Sequence, residues 1–125
     1  GLGDVYKRQV TDEVLDGITG ADLVLLESNY DPEMLRKGPY PLPLQKRIQG
    51  QYGHLSNGES SELAVHLVEH GTTRLILGHL SPHNNTADLA QRTVLQQLAA
   101  HHYSCGREFL LEVALPEGLE KAVIF

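Results

Sequence analysis

The chain is poor in sulfur, in aromatic rings and in long apolar runs. A single cysteine, Cys105, among 125 residues excludes an internal disulfide framework, and a reducing, cytoplasmic setting fits that usage. No stretch approaches the ~20 apolar residues of a bilayer-spanning helix, so no membrane partner is expected, and the mean hydropathy of −0.24 agrees. The first residues lack the apolar core of a secretory signal, so none is expected. Basic residues are also scarce. Ten Lys and Arg face sixteen Asp and Glu, for a formal net charge of −6. Such a chain is no general nucleic-acid binder, and any contact with nucleic acid has to come from a local basic patch. With 41% hydrophobic residues, there is material for one small core, and the length is too short for two.

Against that plain background, one stretch stands out. Residues 53 to 85 hold two similar phrases, Gly53-His54-Leu55-Ser56-Asn57 and Gly78-His79-Leu80-Ser81-Pro82-His83-Asn84-Asn85. The second follows the short apolar run Arg74-Leu75-Ile76-Leu77, bounded by Thr72-Thr73 and Gly78. That reads as a buried strand ending in a Gly-His turn. A histidine just past a buried strand is held rigidly, and metal ligands and proton donors are often placed so. One such histidine reads best as a loop residue satisfied by hydrogen bonds. Two Gly-His-Leu-Ser phrases shift the reading toward a site.

The remaining elements follow in order. Thr11 or Asp12 caps a helix with Val14, Leu15 and Ile18 on one side, stopped by Gly20. Ala21 to Asn29 carries a strand signal, apolar on both faces, as in a central strand covered on both sides. Glu27 closes that run, where a carboxylate must be solvated, paired or bound. Asp31 and Pro32 open a short helix. Pro39, Pro41 and Pro43 make a stiff connector, and Leu44 to Ile48 forms a helical turn or two. A helix opened by Asn57 or Ser60 runs through His70 and stops at Gly71. Thr86 opens the longest helix, to about Tyr103, with Leu89, Val94, Leu95, Leu98 and Ala99 at helical spacing. Residues 108 to 115 read as a strand, and 122 to 125 as a terminal one. Helices alternating with strands define an α/β layered arrangement.

Leu26-Glu27-Ser28-Asn29-Tyr30-Asp31, Gly38-Pro39-Tyr40-Pro41, Lys46-Arg47-Ile48 and the two His phrases, in this order and spacing, resemble the C-terminal half of a metallo-β-lactamase-fold hydrolase. The likeness is to the YycJ/WalJ type of bacterial nuclease, related to ribonuclease Z, and it covers about residues 10–125. The resemblance implies half of a four-layer αββα sandwich with a mixed sheet. It also implies two divalent metal ions at one sheet edge, Zn²⁺ first and Mn²⁺ or Fe²⁺ as alternatives. Most ligands in the family come from a His-x-His-x-Asp-His motif in an N-terminal half that this sequence does not contain. The partner it implies is therefore that missing half, besides a nucleic-acid substrate. A metal-bridging Asp is expected just upstream of Thr11. Tyr6 stands there, with Asp4 two residues out of register and not assigned, and residues 1–9 read as a junction rather than native sequence.

Carried over residue by residue, the resemblance makes His79 the final metal ligand. It makes His54 a proton donor to the leaving group and Glu27 the carboxylate that orients it. A strand-end carboxylate beside an imidazole would raise the imidazole pKa and fix its tautomer; alternatively, Glu27 only accepts backbone hydrogen bonds in a turn. A two-metal centre suits phosphodiester hydrolysis. Lys46 and Arg47, with Arg36 and Lys37, are the local candidates for phosphate contacts, and a solvated charged surface is the competing reading. His83 and Asn84 complete the substrate-side candidates, although a turn role for His83 and a bracing role for Asn84 and Asn85 compete. His66 and His70, four apart, share a helix face without an apparent third ligand. His101-His102 sit at a helix end. Tyr30 occupies a position where the family's Asn-His-Asp phrase has His. Two other function classes stay open: hydrolysis of a small ester, thioester or cyclic nucleotide, and a half-domain inactive on its own.

Overall fold

A computed structural model describes residues 11–114. Helix α1 (Asp12–Ile18) begins at Thr11, whose hydroxyl accepts the Val14 N–H at 3.2 Å. Strand β1 (Leu23–Glu27) follows, then the short helices α2 (Pro32–Lys37) and α3 (Leu42–Gln49). Asp31 caps α2 with Pro32 in its first turn, the arrangement that fixed proline φ favours. Helix α3 starts at Leu42, earlier than its sequence suggested, because Pro43 falls within the first helical turn, where a missing N–H costs nothing. None of its residues is buried.

Helix α4 (Asn57–Glu69) is capped by neither Asn57 nor Ser60 but by Ser56. The Ser56 hydroxyl accepts the Glu59 N–H, and the Glu59 carboxylate accepts the Ser56 N–H, a reciprocal box that satisfies two otherwise orphaned donors. Strand β2 (Arg74–Gly78), helix α5 (Ala87–Ala100) and strand β3 (Leu110–Val113) complete the described part. Helix α5 stops three residues short of Tyr103, with His101 at its C-cap, and β3 is shorter than 108–115. The expected strand at 122–125, the junction at 1–9 and the Tyr6 and Asp4 positions lie outside the described residues.

The three strands form one parallel sheet in the order β1-β2-β3. Register pairs Leu23 with Arg74 and Glu27 with Gly78, so β1 and β2 end on the same edge. Both crossovers step the same way across the sheet. Parallel crossovers share one hand, so α4 and α5 fall on the same face. There, Val24, Leu26, Leu75 and Leu77 join Leu63, Leu67, Val94 and Leu98 in a single core.

Among the described residues, strand β1 is therefore not central and is covered on one side only. Among them it is an edge strand, and its burial alternates: Val24 and Leu26 are 2% and 3% exposed, whereas Leu23 is 42% exposed. Alternation places Leu23, Leu25, Ile76 and Leu110 on the second face of the sheet, where Leu110 is 53% exposed. Arg74 and Glu112 lie on that face too, 4.0 Å apart.

Candidate functional site

The parallel edge where β1 and β2 end is where the chain leaves the sheet, and three loops meet there. The loop after β1 begins at Glu27. Its Oε1 accepts the Leu55 N–H at 2.7 Å, while Oε2 accepts Nδ1–H of His54 at 3.2 Å and Nδ1–H of His79. Of the two roles open to Glu27 in the sequence, backbone acceptor and histidine partner, the carboxylate plays both. The imidazole rings stand 5.1 Å apart, edge to face. Burial acts to raise the Glu27 pKa; the hydrogen bonds from His79 and Leu55, with the charge and hydrogen bond of His54, outweigh it and hold the carboxyl below its ordinary range. An ionised carboxylate only accepts, so each ring carries a proton on its Nδ1. Glu27 is the more enclosed member, its side chain 20% exposed against 42% for His54 and 57% for His79.

Different local devices deliver the two histidines. His54 hangs on the end of α3, its N–H donating to the Ile48 carbonyl at 3.0 Å. Gly53 permits that approach: a Cβ there would sit 2.0 Å from the Ile48 oxygen and 2.5 Å from that of Arg47. His79 instead takes a left-handed backbone, φ 57°, which costs a residue with a Cβ about 1–2 kcal/mol. Asn29 holds it there. Its Nδ2 donates to the His79 carbonyl at 2.7 Å, and its own carbonyl accepts the Ser81 N–H at 2.7 Å. Strain of this kind persists only where its surroundings over-determine it, and it concentrates at functional sites.

Glu27, His54 and His79 thus come together, with donor atoms within 4.8 Å of one another, and they are the one such metal-capable group among the described residues. The other candidates spread out. Lys46 and Arg47 are exposed near the end of α3, and no carboxylate pairs with either among the described residues. Arg36 and Lys37 are engaged by Glu33 at 2.8 and 3.2 Å. His83 is exposed, its ring 6.2 Å from that of Tyr40.

Asn84 lies below the surface. It is 1% exposed, and its backbone carbonyl accepts the Asp31 N–H at 2.8 Å. That bond comes from the main chain, and the buried side-chain Oδ1 has no hydrogen-bond partner among the described residues. Tyr30, 4% exposed, is likewise buried, and its carbonyl accepts the Asn57 N–H. His66 and His70 stack at 4.3 Å without a third ligand among the described residues.

What the sequence did not reveal is a buried polar set beneath the site, Ser28, Asn57 and Asn85. Its one written signal is asparagine after each Gly-His-Leu-Ser phrase, directly as Asn57 in the first and beyond Pro82-His83 as Asn84-Asn85 in the second.

A strand-end carboxylate shared by two imidazoles, on the edge of a parallel sheet, defines an α/β chain with a candidate acid–base or metal-binding centre. Comparison with known proteins places it further. No family model matches the chain. The protein named exodeoxyribonuclease WalJ of Streptococcus pneumoniae is 36% identical over 108 residues, 86% of this chain and 40% of that protein. The same values hold in a second strain of the species. Exodeoxyribonuclease YycJ of Bacillus anthracis is 35% identical over 100 residues, 80% of this chain and 38% of that protein. The chain is therefore homologous to YycJ/WalJ-type proteins over most of its length, and it spans about two fifths of theirs.

Proposed function

We propose that the whole protein is a metal-dependent phosphodiesterase acting on DNA, an exonuclease of the cytoplasm, and that this chain supplies the C-terminal half of its metallo-β-lactamase-type αββα sandwich. Residues 10–125 form that half, and 1–9 are a junction. The observation that carries the reading is Glu27 receiving both histidines where two parallel strands end. The names of the relatives supply the substrate class. The second sheet face, with Leu23 and Leu110 exposed, supports the sandwich, because exposed apolar sheet faces call for a covering layer.

The donors fit one side of a metal centre. Nδ1 of His79 is tied to Glu27, the arrangement that orients a metal-ligating imidazole and leaves Nε2 as the ligand atom. One histidine is not a site, so the further ligands belong to the N-terminal half, and this chain alone is inactive. Two divalent ions held there would supply Lewis-acid activation of water and charge neutralisation at the phosphate. His54, with Nδ1 held by Glu27, gives a proton from Nε2 to the leaving oxygen. Lys46 and Arg47 position the phosphate backbone.

The test uses the whole protein. His54→Ala lowers turnover by roughly 10²–10⁴-fold, the usual contribution of a general acid, with metal content unchanged. His79→Ala removes one of the two ions. Unchanged turnover in the first variant or unchanged metal stoichiometry in the second would sink the respective role. The engagement of Arg36 and Lys37 by Glu33 favours a second reading, a small ester, thioester or cyclic nucleotide as substrate. Binding that is insensitive to salt would select it.

A further inference from the structure

Two three-membered sets of side chains lie where the loops after β1, α3 and β2 meet. The accessible set is Glu27, His54 and His79. The buried one is Ser28, Asn57 and Asn85, which are 0%, 1% and 5% exposed. Each of the segments 27–28, 54–57 and 79–85 gives one residue to each set.

The buried set closes on itself. Ser28 Oγ donates to Asn57 Oδ1 at 2.6 Å. Asn57 Nδ2 donates to Asn85 Oδ1 at 2.8 Å, and Asn85 Nδ2 returns a bond to Asn57 Oδ1 at 2.9 Å. Asn85 Nδ2 also donates to the Ser28 carbonyl at 2.9 Å. Outward links tie the ring to the chain around it: Asn57 N–H to the Tyr30 carbonyl, and Thr86 N–H to Asn85 Oδ1, both at 2.9 Å. None of the three belongs to the apolar core. An apolar trio would fill the same space without fixing which atom of one loop faces which atom of the next. Reciprocal amide bonds fix that register, and losing one member strands buried polar atoms on the others.

We propose that Ser28, Asn57 and Asn85, with Asn29 clamping the left-handed His79, are positioning residues: they hold three loops in the one register that brings both imidazoles onto the Glu27 carboxylate. What that register is used for rests on the nuclease reading; the register itself does not.

The experiment labels the histidines of the whole protein with ¹⁵N and follows the Nδ1–H signals of His54 and His79, assigned with His54→Gln and His79→Gln, alongside turnover on DNA. Asn85→Ala is expected to abolish both signals and lower kcat at least tenfold with KM within twofold, while the amide spectrum of α4 and α5 stays dispersed. Asn29→Ala should abolish the His79 signal and spare that of His54, a selectivity that a general loss of stability does not produce. Ser28→Ala, which keeps the Asn57–Asn85 pair, should weaken the signals less.

Both signals intact in a folded Asn85→Ala protein would overturn the proposal. If that variant does not fold, unchanged signals in Ser28→Ala and Asn29→Ala would overturn it instead. Absence of both signals from the unsubstituted protein overturns it equally. Signals lost as expected in a protein that cleaves no DNA support the positioning ring and reject the nuclease reading, so the two failures are distinguishable.

Discussion

The two Gly-His-Leu-Ser phrases share four residue types and use them differently. In the first, Gly53 clears room for the α3 backbone, Leu55 is 2% exposed in the core, and Ser56 caps α4. In the second, Gly78 still belongs to β2, His79 carries the left-handed turn, Leu80 is only partly covered, and the Ser81 hydroxyl accepts the N–H groups of His83 and Asn84. Both nonetheless end with an Nδ1 on the same carboxylate oxygen. A shared phrase therefore reflects a shared destination for the imidazole, not a shared local structure. The first phrase is part of the core and the second is a turn laid over it.

That difference can be broken by substitution, and the leucines should give the largest effect. Leu55→Ala empties a buried position and should cost about 3 kcal/mol, within the range for buried leucines, whereas Leu80→Ala should cost about 1 kcal/mol. Denaturant unfolding of the two variants measures the gap, and equal losses would erase the contrast. Next comes Gly53→Ala. The added methyl meets backbone oxygens rather than a yielding side chain, so a loss of about 2 kcal/mol is expected, with His54 displaced from Glu27. Smaller again is the pair of serines. Ser56→Ala removes the capping box and should cost about 1 kcal/mol, while Ser81→Ala, outside any helix cap, should cost less than half of that. A Ser81→Ala loss equal to that of Ser56→Ala would place both phrases in one structural class.

How much of this was legible follows from which forces act locally. Strand–turn punctuation at Leu77-Gly78-His79 and Leu26-Glu27 gave the sheet edge, because apolar runs and breakers are written in adjacent residues. The meeting of Glu27 with His54 was reachable only through the resemblance, since 27 positions of chain separate them. The Ser56–Glu59 box is written plainly as Ser-x-x-Glu, with Asn57 beside it as a competing helix start. Edge or centre could not be read for β1: Leu23 to Leu26 are all apolar, and which of them are covered depends on what lies across the sheet. The Ser28–Asn57–Asn85 ring was illegible for a related reason. Ser and Asn in loops read as turn formers, and only the fold shows that three of them are buried against one another.

A histidine outside both phrases provides the smallest test and a control for the others. The His66 imidazole is pushed below its ordinary pKa, first by partial burial and then by the neighbouring His70, with Glu69 opposing. Thr19 Oγ1 already donates to the Leu15 carbonyl at 2.6 Å, so it accepts from His66 Nε2 at 3.1 Å. That contact serves the neutral and the charged ring alike and does not offset the shift. The folded state therefore favours neutral His66. Its contribution to stability is full above the unfolded pKa of about 6.5. It declines as the pH falls from there, because the unfolded chain takes up the proton first, and it is gone once the pH has passed below the folded value. His66→Gln keeps a donor for Thr19 and cannot titrate, so between pH 7 and 5 its stability should fall less steeply than that of the unsubstituted protein. His70→Gln should move the His66 pKa back upward by removing the second cause. Neither change should alter the Nδ1–H signals of His54 and His79. If His66→Gln left the pH slope unchanged, the stacked pair on α4 would be a solvated surface without energetic consequence, and any acid sensitivity of the fold would have to be sought elsewhere.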